Sequence, residues 1–223
     1  MVCVGFVGIE AFDIILYISQ TMAKMKYPVL IVDLSDTGAL KNAIYHGMDM
    51  DSKKEIVHYR NINYLRRIPD EYELKEFTVG VVFVAFGFNY TDIRPIRLDY
   101  VNIVVNPFSH VLEKVNVLIK DCLYDNMNLR LLVRDVISPD DLEKVKSSIM
   151  LAEQQDCFNY LYLDFNDYEN ALKCQRFQMI KFWKISFRMK KIIVNEIKYI
   201  VSILNSTKTL AATYPGKEIA SYE

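Results

Sequence analysis

VCVGFVGIEAFDIILYISQTMAKMKYPVLIVDL (residues 2–34) reads as a strand, a helix and a second strand. VCVGFV (2–7) is a short β-branched run closed by Gly8, the pattern of a buried strand. From Ala11 to Lys26 the apolar positions Phe12, Ile15, Leu16, Met22 and Ala23 follow a helical period. Pro28 stops that helix, because proline has no N–H to donate and its ring clashes with the preceding turn. VLIVDL (29–34) is then a second continuous apolar run. Strands apolar on both faces suit the middle of a parallel sheet covered by helices.

The same alternation continues outward. SDTGALKNAI reads as a strand-end loop entering a short helix, with Ser35 or Asp36 as its cap. Residues 46–78 are mixed, with KEIVHYR (54–60) a strand candidate and Arg66 to Glu76 a charged helix candidate. VGVVFVAF (79–86) is the strongest strand signal, and YVNIVV (100–105) is another, followed by a helix over 109–122. NLRLLVRDV (128–136) is a further strand; Ser138 and Pro139 open a helix through Ile149 as cap and first-turn proline. YLYL (160–163) is a short strand candidate, a helix is expected near 186–204, and no internal repeat is present. The pattern predicts an α/β fold, a doubly wound, mostly parallel sheet with helices on both faces. It is read as one domain over 1–204, with a core of about 2–150, a helical basic part of about 165–204, and a polar, mobile tail over 205–223.

Hydrophobic residues make up 52% of the 223, ample for one well-filled core. The net charge of −1 hides an asymmetry: residues 173–223 hold ten basic and three acidic side chains, so the body before them is acidic. Such a basic end suits a polyanion, a membrane surface or an acidic partner, and equally a solvated helix face. Cysteines at 3, 122, 157 and 174 form no CxxC pair, so free thiols in a reducing cytosol are expected. His46, His58 and His110 have no metal-ligand spacing. The apolar N-terminus lacks a basic flank and meets Glu10 and Asp13 too early for a signal peptide. No run of about 18 apolar residues is present, and a cytoplasmic location follows as the expectation.

In sheets of this kind ligands bind beyond the carboxyl ends of the strands. GIEAFD, DLSDTG and AFGFNYTD occupy those positions. The layout VGFVGIEAFDIILYISQ…VLIVDLSDTGAL, with VVFVAFGFN and LLVRDVISPDDL, resembles the MinD/ParA group of P-loop ATPases over residues 2–150. The resemblance implies a phosphate loop at the first strand end, but GFVGIEAFD contains no GK[ST] and no lysine precedes Lys24. Counting back from Asp33 puts Ala11 at the P-loop lysine, Phe12 and Asp13 at the hydroxyl positions, and Phe6 at the group's second lysine. Glu10 replaces a glycine, and Ala85 stands where the group carries an aspartate supporting the magnesium shell.

Gly8, Ile9, Glu10, Ala11, Phe12, Asp13 and Arg134 thus form a vestigial nucleotide face, Arg134 falling where the group often contacts the adenine base. Asp33 and Asp36 would hold metal only together with nucleotide phosphates. The expectation is a non-hydrolysing pseudo-ATPase without a cofactor, a localisation or assembly factor in pilus or secretion-system positioning or in plasmid or chromosome partition. Its predicted partners are a second copy through the former nucleotide face and proteins of a positioning machine. The alternative is a nucleotide switch or weak ATPase, in which Asp13, Asp33 and Asp36 hold a metal with ATP and the amides of residues 8–12 hold phosphate.

No G-x-S-x-G elbow or other catalytic arrangement stands out. KCQRFQMIKFWKISFRMKK (173–191) interleaves basic and aromatic residues, with Lys181, Trp183, Lys184, Arg188 and Lys190 as its candidate interaction residues. Three readings stay open for it: a helix packed on the sheet with lysines in water, a membrane or partner surface, and a DNA-binding surface. The membrane reading would place the protein at the inner face of the membrane.

Overall fold

In the computed structural model, residues 1–44, 49–50, 56–89, 96–124, 127–150, 158–178 and 180–213 are described. The fold class read from the sequence is the one observed. Eight strands form one sheet: β1 (Val2–Gly8), β2 (Val29–Asp33), β3 (Val57–Tyr59), β4 (Ile62–Leu65), β5 (Val81–Gly87), β6 (Tyr100–Val105), β7 (Leu129–Val136) and β8 (Phe158–Tyr162). Their order is β3-β4-β2-β5-β1-β6-β7-β8, and every neighbouring pair is parallel except β3–β4. The chain lays β2, β4 and β5 to one side of β1 and β6, β7 and β8 to the other. The carboxyl end of β1 is therefore the topological switch point, where such sheets open a crevice.

The helices are α1 (Phe12–Lys24), α2 (Ala39–Asn42), α3 (Glu71–Lys75), α4 (Ser109–Tyr124), α5 (Pro139–Ser148), α6 (Phe165–Phe177) and α7 (Phe187–Thr213), with a 3-10 turn at Phe182–Lys184. Two cores flank the sheet. On one face α1 and α7 bury Ile14, Ile18, Met189, Ile193, Ile197 and Ile200 against Val4, Phe6 and Phe83. On the other, α4 and α5 bury Val115, Ile119 and Val145 against Val82, Val84 and Ile103. All seven residues of β1 are buried, which explains its unbroken apolar run. Cys3 and Cys174 are buried free thiols, and burial pushes both up to about 12. His46 and Cys157, and the Cys122 side chain, lie outside the described residues.

Four local expectations are corrected. The charged helix at 66–76 shrinks to α3, because Pro69 disfavours helix at the residue before it and Asp70 with Glu73 forms a capping box that starts the helix there. The strand β4 precedes it, joined to β3 by a turn in which Arg60 and Asn61 both have positive φ (52° and 61°), the geometry of a type I′ hairpin. Helix α2 has Gly38 at its N-cap with no side-chain cap bond; neither Ser35 nor Asp36 caps it. Helix α7 runs to Thr213, beyond the expected end at 204, so residues 205–213 continue the helix; 214–223 lie outside the described residues. Ser138 with Pro139 opens α5 as read, with Asp141 completing a capping box.

Candidate functional site: the carboxyl end of β1

Only Ile9, Glu10 and Ala11 connect β1 to α1. The strand end is tied to its neighbour: Ile9 N–H donates to the Val104 carbonyl at 3.0 Å. Gly8 has φ +106°, and a Cβ there would stand 2.1 Å from the Val104 oxygen, so this glycine serves close strand approach. A phosphate cradle needs successive amides turned toward the ligand, and here the first of them is already bonded within the sheet. Ala11, at the N-cap of α1, is buried, and its carbonyl accepts from Ile15 N–H at 3.0 Å. Phe6, in β1, is a core residue beside Phe83.

Asp13 lies in the first turn of α1, where an acid favours the helix dipole. It receives Arg134, from β7, in a two-pronged pair: Nη1 to Oδ1 at 2.7 Å and Nη2 to Oδ2 at 2.9 Å. Arg134 Nη1 also donates to the Glu10 carbonyl at 2.9 Å. The carboxylate is 1% exposed and the guanidinium 16%. Burial opposes the charge on Arg134, but the Asp13 carboxylate and its hydrogen bonds outweigh it and hold the pKa above the usual arginine value. The sequence expectation placed Arg134 in reach of a base; the structure places it on the loop and helix that would have met the phosphates.

The neighbouring strand ends are also bonded to one another, although Asp33 Oδ2 is buried with no hydrogen-bond partner among the described residues. Thr37 Oγ1 donates to the Glu10 carboxylate, joining the loops after β1 and β2. Burial raises the Glu10 pKa, Asp33 and Asp36 add to it, and the Thr37 bond pulls it down. Asp33, at the end of β2, is buried and accepts from Ser35 N–H at 3.1 Å and Ser35 Oγ at 2.6 Å. Burial raises its pKa despite the Ser35 bonds and the positive charge of Arg66. Asp36 is exposed, beside Gly87 at the end of β5. Ala85, two residues before that end, is buried. Among the described residues no three His, Cys, Asp or Glu side chains group as a metal site.

Glu10, Asp13, Asp33, Asp36 and Arg134 thus lie at one end of the sheet. Phe12 is only half-buried beside them. Sequence reading missed Thr37, which bridges the loops, and Arg66, which donates to the Ser35 carbonyl at 3.4 Å. A run of hydroxyls after a strand-end aspartate was the signal available. The residues present do not fit a magnesium triphosphate: no lysine or hydroxyl begins α1, Arg134 at its start is bound to Asp13, and Glu10, Asp13, Asp33 and Asp36 bring negative charge to the site. Each unpaired carboxylate near a phosphate adds repulsion that a partly dry cleft screens poorly.

The basic-aromatic segment 173–191 does not form one surface. It is divided among the end of α6, the 3-10 turn and the start of α7. Phe182 packs on Tyr17 of α1, with Lys24 over its ring at 4.7 Å. The guanidinium of Arg188 lies over the Tyr160 and Tyr162 rings at 4.2 and 4.8 Å. Lys184 and Lys190 are exposed and Lys181 half-buried; the Trp183 side chain lies outside the described residues. Arg188 and Lys190 are two positions apart on α7, about 200° around the helix, and point different ways.

An eight-stranded, mostly parallel sheet with this order, wrapped by helices and with its candidate site at the first strand end, has the MinD/ParA P-loop ATPase fold. Solved structures agree across nearly the whole chain. A chain of the MinC:MinD cell division protein complex from Aquifex aeolicus superposes with TM-score 0.62 at 12% identity, covering 100% of this chain and 99% of that one. A plasmid partition protein from Borrelia burgdorferi bound to AMPPNP gives 0.59 at 11%, covering 88% and 99%. The cell division ATPase MinD of Pyrococcus furiosus gives 0.56 at 13%, covering 89% and 99%. Neither a protein-family model nor a curated protein sequence matches the chain. Among the described residues no helix is long and apolar enough to cross a membrane.

Proposed function

We propose that the protein is a non-hydrolysing counterpart of the MinD/ParA ATPases, a localisation or assembly factor that presents its former nucleotide face to protein partners. The reading is carried by the Asp13–Arg134 pair, which fills the start of α1 with a neutralised ion pair where a triphosphate needs free positive charge. Phosphoryl transfer rests on positioning and charge stabilisation by lysine, hydroxyl and metal, and α1 begins with neither a lysine nor a hydroxyl side chain. Support for a positioning role comes from the shared fold with cell division and plasmid partition proteins. The systems in view are pilus or secretion-system assembly and plasmid or chromosome partition. A second copy is the first partner to test on that face. A membrane- or DNA-tethered adaptor built on 173–191 has less support, because its cations diverge.

The test is a calorimetric titration of the full chain with ATP and Mg²⁺, with ADP and GTP alongside, and sedimentation of the same samples. The expected result is no saturable heat and no thermal stabilisation at millimolar nucleotide, with dimers at tens of micromolar whether or not nucleotide is added. A Kd below about 100 μM, roughly −5.5 kcal/mol, would overturn the reading and make the protein a nucleotide switch with an atypical loop. A monomer under all conditions would remove the homodimer.

A further inference from the structure

The sheet ends at β8, which pairs with β7 on one side and with nothing on the other among the described residues. Phe158, Asn159 and Tyr160, consecutive in β8, all line one cavity of about 340 Å³, together with the start of α7. Successive strand residues point to opposite faces, so a cavity touched by three in a row runs along the strand's edge. Along that edge the N–H and C=O groups of β8 that do not bond β7 have no strand beside them among the described residues.

Arg188 confirms the placement. Its helix packs on one face of the sheet through Met189 and Ile192, while Tyr160 packs with the core on the other face. Its guanidinium lies 4.2 Å over the Tyr160 ring, so the side chain crosses the edge to reach it. Lys191 lines the same cavity one helical turn on, and Asn159 and Asn195 add amides. Among the described residues no carboxylate lines the cavity and neither cation makes an ion pair. The volume falls in the range of small ligand sites, about 300–1,000 Å³.

We propose that this edge accepts an extended, acidic segment of a partner protein as an added strand. Main-chain hydrogen bonds to β8 would supply affinity, and Arg188 and Lys191 would select carboxylates at alternate positions of the segment. A second copy pairing β8 to β8 would set Arg188 and Lys191 against the same cations, which charge disfavours. Single-stranded nucleic acid stacks successive bases on successive bare rings; here Arg188 lies over the Tyr160 and Tyr162 rings, and Phe187 alone of the cavity's aromatics is largely exposed, one platform rather than a track. Edge cations also serve to block strand pairing; a purely protective Arg188 and Lys191 would bind no peptide at all.

The full chain is presented with an array of eight-residue peptides carrying Asp or Glu at alternate positions and Val, Ile, Tyr or Phe between. Two control sets replace the acids by Lys or place Pro at the fourth position. The expected result is binding to the acidic set, at least tenfold weaker for the proline set and for the Arg188→Glu/Lys191→Glu protein. The milder Arg188→Ala/Lys191→Ala protein, with an unchanged Tm, should show the same direction. Acidic peptides that bind no better than the lysine set overturn the proposal, and so does equal binding of the proline set, which would mean charge without strand pairing. Tighter binding of oligothymidylate, or a dimer that Arg188→Glu dissolves, would hand the edge to nucleic acid or to a second copy.

Discussion

Asp13 and Arg134 lie 121 residues apart and meet with both prongs of the guanidinium engaged. The pair is dry, with Asp13 1% exposed, so the loss of one partner strands a charge rather than exposing it to water. Breaking a buried pair of this kind costs about 3–5 kcal/mol, whereas replacing both members with apolar residues is often neutral. Arg134→Met should therefore lower stability by about 3 kcal/mol, a fall in Tm of roughly 10 °C for a chain of this size. Asp13→Leu combined with Arg134→Met should recover most of the loss. Urea unfolding of the two proteins decides it: a single variant as stable as wild type would mean that the pair does not anchor α1 to β7. No reading of one sequence joins these residues, because an arginine at a strand end has the same local pattern whether it meets water, a base or an aspartate.

At the level of elements, α7 is fastened to the sheet by a buried carboxylate. Glu196 accepts from Tyr100 Oη at 2.7 Å, Asn102 Nδ2 at 2.7 Å and Arg130 Nη1 at 2.6 Å. The Tyr199 ring, one turn further, lies 4.5 Å from the Arg130 guanidinium and edge-on to Tyr100. Burial and the Glu196 charge together push the Tyr100 hydroxyl well above its ordinary pKa, so it stays a donor. Glu196→Ala would leave three donors without an acceptor under a helix, a loss of about 3–5 kcal/mol. Glu196→Gln keeps one acceptor oxygen and should lose less. Amide hydrogen exchange checks the location: the Ala variant should lose protection in α7 and β6 before β2 and β5, and uniform loss would show that α7 does not open separately.

Legibility of these elements followed how local their causes are. The strands β1, β2 and β5 were plain, because burial on both faces writes a nearly unbroken apolar run, and β6 and β7 stayed readable around Asn102, Arg130 and Arg134. The β3–β4 hairpin was missed, because its turn is Arg60-Asn61 and not an Asn-Gly pair, and INYL carries a polar residue inside a short strand. The Asp70/Glu73 capping box was present in the sequence and would have started α3 correctly. The 173–191 segment looked continuous, yet Gln178 takes a left-handed conformation at the end of α6 and the chain turns there. The positions of Glu10, Asp13, Asp33 and Asp36 at or just after strand ends were legible residue by residue. The bonds Asp13–Arg134 and Glu10–Thr37 were not, since they join separate elements.

Across the whole molecule, several buried or partly buried carboxylates work against stability once they are charged. Burial raises the pKa of Glu10, Asp33 and Asp167 above ordinary values of 4.5, 3.8 and 3.8. In the window between each ordinary value and the raised one, the folded chain binds more protons than the unfolded chain. Stability therefore falls as pH rises through that window, and the penalty is complete above the folded pKa. Glu73, held low by Arg67, and Glu169, held low by Lys173, act in the opposite sense: their contribution is present above 4.5 and is lost as pH falls below it. The two windows lie on opposite sides of the ordinary carboxylate values, so Tm should be highest near those values and decline both above and below them. Asp33→Asn keeps an acceptor for Ser35 but cannot ionise, and should flatten the decline on the alkaline side. Thermal melts of both proteins on either side of the ordinary carboxylate values test the claim; a wild-type Tm that keeps rising above them, or an Asp33→Asn slope equal to wild type there, would show that these carboxylates do not set it. A face that folds less favourably when its acids are charged gains from any partner that brings cations to it and loses from a phosphate. That difference is the physical reason to look for protein on the β1 end of this sheet before nucleotide.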